Sequence, residues 1–266
     1  MTQALDTPML ALMRHAAETA ILPRYQRLAT HEVDEKAADD FVTVADHASE
    51  ALLADGLARI LPDAAIVGEE AAHADPAVLE RLSGLCWIID PLDGTYNFAH
   101  GRAPFGVIVA LADGGEAVAG WLYDPLSRRF CAAHRGQGAF INGARVHTRP
   151  SGQQPPVAAI SLLFLDPDRR ADIACEIAPH YRLVDIPRCA AEQYPRLVLG
   201  QNDVSIFERT LAWDHAAGVL FLNEAGGKGA RPDGSAYRVD EHARTGLIGA
   251  ASPAFWDELA ERMAAL

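Results

Sequence analysis

The sequence predicts a layered α/β sandwich in which two subdomains share a cleft, and three observations predict it. The chain opens with amphipathic helical periodicity, passes through short alternating strands between 106 and 146, then interleaves strands with helices to its end. Its 266 residues, 50% hydrophobic and 22% charged, are enough to bury a large core as one domain or two intimate ones.

The first helix is expected over residues 8 to about 28. Thr7-Pro8 supplies a capping hydroxyl before a proline, and Met9, Leu12, Met13, Ala16, Ala17, Ala20 and Ile21 recur at helical spacing. Residues 30–40 are polar and lack apolar anchors, so a mobile loop is expected there. Lys36 in that loop is either a solvated charge or a point charge able to close over a phosphate. Residues 41–44 read as an extended entry into a second helix, whose broad apolar face runs from Ala48 to Leu61 and which Pro62 ends. Asp46 falls in its first turn, where the helix dipole favours a carboxylate whatever its function.

Residues 64–67 are a strand candidate leading into Gly68-Glu69-Glu70. Adjacent glutamates there form a solvated turn, or they repel unless a cation lies beside them. If this strand neighbours the next one, at 87–89, their acidic ends meet. From 106 to 146, turn residues such as Asp113-Gly114-Gly115 and Asn142-Gly143 punctuate apolar runs, the pattern of an antiparallel meander. The Pro/Gly/Ser-rich stretch 150–156 divides an N-terminal subdomain, 1–150, from a C-terminal one, 151–266. Beyond it, strands are expected at 157–163, 183–186, 204–207 and 247–250. Helices are expected from about Asp168, over 190–199, over 215–224 and from 254 to about 264.

The stretch that carries chemistry is Trp87-Ile-Ile-Asp90-Pro-Leu-Asp93-Gly94-Thr95. Its apolar start reads as a buried strand, and Pro91 takes the chain out of that strand as a stiff bend. Asp90 and Asp93 can then converge on one point, as a hard cation such as Mg²⁺ requires. Gly94 permits close backbone approach, and a helix opening near Thr95 aims N–H groups at an anion. Paired carboxylates beside an anion cradle suggest metal-bridged phosphate chemistry. Far downstream, Asp214 heads a helix, where alone it would read as an N-cap; the small residues Ala216, Ala217 and Gly218 after it allow close packing beside a site.

Composition narrows the partners. Acidic residues number 36 against 23 basic, a net −13, which argues against a nucleic-acid or anionic-membrane surface. It leaves an anionic substrate open, because bound divalent cations invert the local charge. There is no leader-like N-terminus and no apolar run of membrane length, so a cytoplasmic location is expected. Cys86, Cys131, Cys175 and Cys189 are far apart without C-x-x-C spacing, which predicts reduced, mostly buried thiols.

Asp90-Pro-Leu-Asp-Gly-Thr95, together with Trp213-Asp-His-Ala-Ala-Gly218 and Glu224-Ala-Gly-Gly227, resembles the two hallmark motifs of the inositol monophosphatase family. Asp40-Phe-Val-Thr-Val-Ala-Asp46, Gly68-Glu-Glu70 and Gly136-Gln-Gly-Ala-Phe-Ile-Asn-Gly143 agree with it, so the resemblance spans nearly the whole chain and weakens only around 150–190. It implies an α-β-α-β-α sandwich of the inositol monophosphatase and fructose-1,6-bisphosphatase type. It also implies a Mg²⁺-dependent, Li⁺-sensitive hydrolase acting on a small phosphomonoester, usually as a homodimer. Carried over by resemblance, Glu69, Asp90 and the Leu92 carbonyl would hold a first metal. Asp90 would bridge to a second, held also by Asp93 and Asp214, and Glu69 would help with a looser third through water. Thr95 and Asp46 would orient the attacking water, the Gly94 and Thr95 N–H groups would contact phosphate, and Glu70 would support the metal ligands from behind.

General physical chemistry agrees with those roles. Phosphate-monoester hydrolysis is among the slowest uncatalysed reactions, accelerated by up to roughly 10²¹-fold. General base catalysis supplies about 10²–10⁴ of that. Two cations about 3.5–4 Å apart can activate water and stabilise the departing alkoxide, which favours in-line attack by metal-activated water over an aspartyl-phosphate route.

The substrate end departs from the family. Arg188-Cys189-Ala190-Ala191 stands where inositol-type members carry Gly-Ser-Ala-Ala. Phe207 stands where they carry a sugar-binding glutamate, with Glu208 one residue along and, on a strand, on the other face. Arg188 either attracts a second anionic group or forms an ordinary surface ion pair. Inositol phosphate, histidinol phosphate, sugar bisphosphates and 3′-phosphonucleotides are all open as substrates. The rival class is a non-catalytic regulatory member, which loss of a metal carboxylate would mark.

Overall fold

The fold was analysed in a computed structural model that describes residues 2–37 and 40–266, without the side chains of residues 30, 36, 37 and 40. A 3-10 turn, Thr2–Leu5, leads into α1, Asp6–Ala16, which continues as a wider helical turn, Ala17–Ile21. The helix thus starts earlier and ends earlier than its periodicity predicts. Its start is drawn back by Asp6, which accepts bonds from Trp121 Nε1 at 2.8 Å and lies 2.9 Å from His134 Nε2. Its end coincides with Pro23, which has no N–H to continue the ladder.

The stretch expected to be a mobile loop instead holds one side of a two-stranded ribbon, β1 (Val33–Ala37) against β2 (Asp40–Thr43). Val33 pairs with Thr43, Asp34 with Val42 and Glu35 with Phe41. A backbone ladder needs no run of apolar side chains, so composition alone did not reveal it. Residues 38 and 39 lie outside the described residues, as does the side chain of Lys36.

α2 (Val44–Ile60) follows, then β3 (Ala65–Gly68), the short helix α3 (Glu69–Ala74) and β4 (Cys86–Asp93). A one-turn helix, α4 (Thr95–Ala99), precedes the meander β5 (Gly106–Asp113), β6 (Glu116–Asp124), β7 (Arg129–His134), β8 (Gly138–Ile141) and β9 (Ala144–Val146). These strands form a seven-stranded sheet in chain order from β3 to β9, parallel between β3 and β4 and antiparallel thereafter.

The rest alternates as expected: β10 (Val157–Ile160), α5 (Pro167–Asp172), β11 (Arg182–Leu183), α6 (Ala190–Val198), β12 (Val204–Phe207), α7 (Ala212–Glu224), β13 (Lys228–Ala230), β14 (Leu247–Ala250) and α8 (Pro253–Ala264). The strands form a five-stranded sheet in the order β11-β10-β12-β14-β13. β10 is shorter than the run expected at 157–163, and β11, paired with β10 at two residues, overlaps the strand expected at 183–186 only at Leu183.

Period-two alternation sorts the large sheet's two faces. Trp87, Ile89, Val107, Val109 and Trp121 turn toward Met9, Met13, Leu53 and Leu57 of α1 and α2. Ile88, Ile108, Ala110 and Leu122 turn toward Tyr194, Leu197, Ala217 and Phe221 of α6 and α7. A third cluster joins Ala158, Val204 and Ile206 of the smaller sheet to Trp256, Leu259 and Met263 of α8. The layers therefore run helix, sheet, helix, sheet, helix. Small residues set the closeness of the central layer: a Cβ at Gly120 would stand 2.6 Å from Ala217 Cα, and one at Gly218 would stand 2.0 Å from the Tyr194 ring.

Candidate active site

The parallel pairing of β3 and β4 aligns Gly68 with Ile89, so Glu69, the first residue after β3, falls beside Asp90. β4 leaves its ladder with β5 between Asp90 and Asp93, where Pro91 cannot donate. The freed loop is pinned locally. Leu92 N–H donates to Asp90 Oδ1 at 3.0 Å, and Ser49 Oγ donates to the Pro91 carbonyl at 2.8 Å. Gly94 then turns the chain at φ +83°, with a Cβ position only 3.0 Å from the Pro104 carbonyl and 3.3 Å from the Arg188 carbonyl. Glycine is required there on both counts.

Two distant helices complete the cluster. The N-terminus of α6 caps Asp93, whose Oδ2 accepts from Ala191 N–H at 2.6 Å and from Cys189 Sγ at 3.0 Å. α7 delivers Asp214 from its third position. Leu211 is the helix N-cap and makes no side-chain bond, which corrects the expectation that Asp214 caps a helix beginning at His215. Carboxylate oxygens of Asp90, Asp93 and Asp214 all lie within 4.8 Å of one another.

Asp46 fills two roles at once. It closes a capping box with Thr43, accepting from Thr43 N–H at 2.8 Å and Thr43 Oγ1 at 2.7 Å. Its other oxygen lies 3.1 Å from Thr95 Oγ1, a hydroxyl that also reaches the Leu92 carbonyl at 2.7 Å. Glu69 is half-buried and lines the same cavity, whereas Glu70 is buried behind it. Glu50 of α2 holds this helix start, accepting from Glu70 N–H at 2.8 Å and Ala71 N–H at 2.9 Å.

Burial of so many carboxylates raises their proton affinity. Asp90 is held well above the ordinary carboxylate range by burial first, then by Glu69, Asp93 and Asp214. Burial raises Asp93 too, against the N–H groups of Ala191, Ala190 and Gly94 and the Cys189 thiol, which favour its charged form. Burial lifts Asp46 to about 6. Converging acids that resist ionisation fit a divalent cation: oxygen donors alone suit a hard ion, and its charge removes the repulsion.

The residues expected to select substrate divide. Arg188, Cys189, Ala190, Phe207 and Glu208 all line the cavity, which encloses about 180 Å³. Cys189 is buried against Asp93, and that burial pushes its thiol well above the usual range. β12 ends at Phe207, so strand alternation no longer governs the next residue, and both line the cavity. Arg188 lies over the Tyr96 ring, 3.5 Å from its centroid.

Sequence reasoning missed several neighbours. His215 is buried behind Asp214; Tyr194 Oη lies 2.7 Å from its Nδ1, and its Nε2 lies 3.1 Å from the Arg209 carbonyl. Burial lowers its pKa to about 3, so the imidazole stays neutral. Arg231 is fully buried and fixes the turn before α7 through Thr210 Oγ1 at 2.8 Å and the Gly246 carbonyl at 3.0 Å. An arginine in a Gly/Pro-rich turn carries no signal of burial. His215 had one, its place directly after Asp214.

Fold and site together define an α/β sandwich with an acidic cavity floor, where Asp90, Asp93 and Asp214 could hold a metal ion. The family model described as the inositol monophosphatase family matches residues 3–266. The chain belongs to that family. It is 30% identical over 208 residues to an inositol-1-monophosphatase of Bacillus subtilis, covering 77% of each protein. It is 34% identical over 227 residues to a protein named Nus factor SuhB of Haemophilus influenzae, covering 83% of this chain and 84% of that one. Among solved structures, the extragenic suppressor protein suhB of Bartonella henselae superposes with a TM-score of 0.81 at 26% identity, covering 98% of both chains. No helix among the described residues is long and apolar enough to cross a membrane.

Proposed function

We propose that the protein is a Mg²⁺-dependent hydrolase of a small phosphate monoester. The observation that carries this reading is the convergence of Asp90, Asp93 and Asp214 oxygens within 4.8 Å at the floor of a cavity. Glu69, Asp90, Asp93, Asp214 and the Leu92 carbonyl are the groups that would hold two or three Mg²⁺ ions. Bound there, the ions would supply charge to phosphate oxygens and lower the pKa of a water.

The chain's own residues do the rest. The Gly94 and Thr95 N–H groups face the phosphate position and orient it. Thr95 Oγ1, between Asp46 Oδ1 at 3.1 Å and the Leu92 carbonyl at 2.7 Å, holds the attacking water in line. Asp46 orients that water through the Thr95 hydroxyl, which it holds at 3.1 Å. Glu70, buried beside Asp46 and raising its proton affinity, supports it from behind.

A panel of phosphomonoesters assayed for released phosphate tests the reading. Turnover is expected with Mg²⁺, none after chelation, and inhibition by Li⁺. Turnover that survives chelation would overturn the mechanism. Absence of turnover, with no Mg²⁺-linked phosphate binding by calorimetry, would favour a non-catalytic role of the sort the name Nus factor gives to relatives.

A further inference from the structure

The outer part of the cavity is built from groups that phosphate cleavage does not use. The Arg188 guanidinium carbon lies 3.5 Å from the centroid of the Tyr96 ring, which Phe41 meets edge-on at 5.7 Å and His100 stacks against at 4.3 Å. A second cation–ring pair repeats the motif: Arg209 lies over Phe164, 4.2 Å from the ring centroid. Arg188, Tyr96, Arg209 and Phe164 all line the one cavity.

Backbone conformation singles out the same two places. Arg188 sits at φ +51° and Phe164 at φ +64°, left-handed values that bulky side chains rarely adopt. Phe164 is moreover 50% exposed, a large apolar ring held at the cavity rim. Strain of this kind persists where the surrounding structure imposes it and clusters at ligand clamps. The Arg188 carbonyl is 3.3 Å from the Cβ position of Gly94, so this wall begins at the proposed phosphate turn, within reach of one small molecule.

The walls suit a ring better than a polyol. Phe41, Leu163, Phe164, Ile186 and Phe207 give the cavity an apolar stretch of wall, with Ser161, Gln193 and Glu208 as polar groups elsewhere in its lining. A buried hydroxyl without a partner is costly, whereas a planar π-system gains from stacking on a guanidinium. We propose that the alcohol half of the substrate carries a planar aromatic ring that lies against the Arg188 guanidinium in this cavity. The inference rests on the phosphatase reading for its reaction but not for its geometry.

The test uses two esters matched in chain length and leaving group, 2-phenylethyl phosphate and 2-cyclohexylethyl phosphate, with Mg²⁺. The phosphonates 3-phenylpropylphosphonate and 3-cyclohexylpropylphosphonate provide a binding readout without turnover. The wild-type protein is expected to prefer the phenyl member by about tenfold in kcat/KM and in Kd. Arg188→Ala and Arg188→Lys should each reduce that preference to within about twofold, with thermal melts confirming that both variants fold. Lysine keeps the charge but loses the plane. Equal use of the two members by the wild type would overturn the proposal. So would an Arg188→Ala variant that keeps the preference, which would place the ring against another group of the wall. If neither ester is cleaved but the phenyl phosphonate still binds tighter and Arg188→Lys abolishes the difference, the aromatic subsite stands and the phosphatase reading falls.

Discussion

Replacing Asp93 by asparagine separates what the acidic cluster does for function from what it does to stability. The side chain keeps its volume and loses its charge. Asp93 and Asp214 carboxylates within 4.8 Å repel by about 3–4 kcal/mol at an effective dielectric of ~20. Burial and the neighbouring acids raise the proton affinity of Asp90, which lessens its share of that repulsion in the metal-free protein. Against the relief stands weakening of the bonds from Ala191 N–H and Cys189 Sγ, which drop from charge-assisted to neutral strength, about 1 kcal/mol each. The metal-free variant should therefore be as stable as the wild type or about 1–2 kcal/mol more stable, a rise of a few degrees in Tm. With Mg²⁺ the order should reverse: the wild type gains stability, the variant gains little, and phosphate release is lost. Thermal melts in chelator and in Mg²⁺, paired with a phosphate-release assay, decide it. A metal-free variant that melts well below the wild type, or one whose Mg²⁺-induced shift matches the wild type's, would refute the reasoning.

Three further predictions concern the surrounding groups. Burial lifts Asp46 from 3.8 to about 6, so between those values the folded protein holds a proton that the unfolded chain has lost. Its contribution to metal-free stability is therefore greatest below about pH 4 and declines by ~3 kcal/mol as pH rises through 6. His215, depressed to about 3, acts oppositely, removing stability as pH falls below about 6.5. Comparing wild type with Asp46→Asn across pH 4–7 isolates the aspartate, and a stability gap that stays flat would contradict the assignment. Thr95→Val removes the hydroxyl between Asp46 and Leu92 at nearly constant volume, and should lower kcat by ~10²-fold or more while leaving calorimetric Mg²⁺ affinity close to wild type. Arg231→Met strips a fully buried guanidinium from Thr210 and two carbonyls, and should cost about 2–4 kcal/mol in denaturant melts; a neutral result would mean those carbonyls find other partners.

How much could be read without coordinates differs from residue to residue. The bend after β4 was legible because its causes are local: an apolar run, a proline that cannot pair, and a glycine that turns left-handed at φ +83°. Helix α7 and the meander were legible for the same reason, through caps, turns and periodicity. The ribbon of β1 and β2 was legible on one side only, in the extended residues 41–44, since partners three to ten residues away leave no mark on the polar residues 33–37. Alternation along a strand could not place Glu208, because β12 ends one residue before it, at the pair of Phe207 with Leu247 of β14.

By itself the sequence determined the family, the layer order and the acidic residues able to meet a hard cation, because each is written in contiguous motifs. Only the tertiary structure decided that Asp93 is held by the start of α6, that Asp46 caps its helix while reaching Thr95, and that Arg188 lies on Tyr96. Those contacts join residues 49 to 98 positions apart, brought together when the central helices pack between two sheets. The acidic residues of the floor are written in short motifs, but packing brings Asp214 to Asp90 and Asp93, and packing makes the cavity wall.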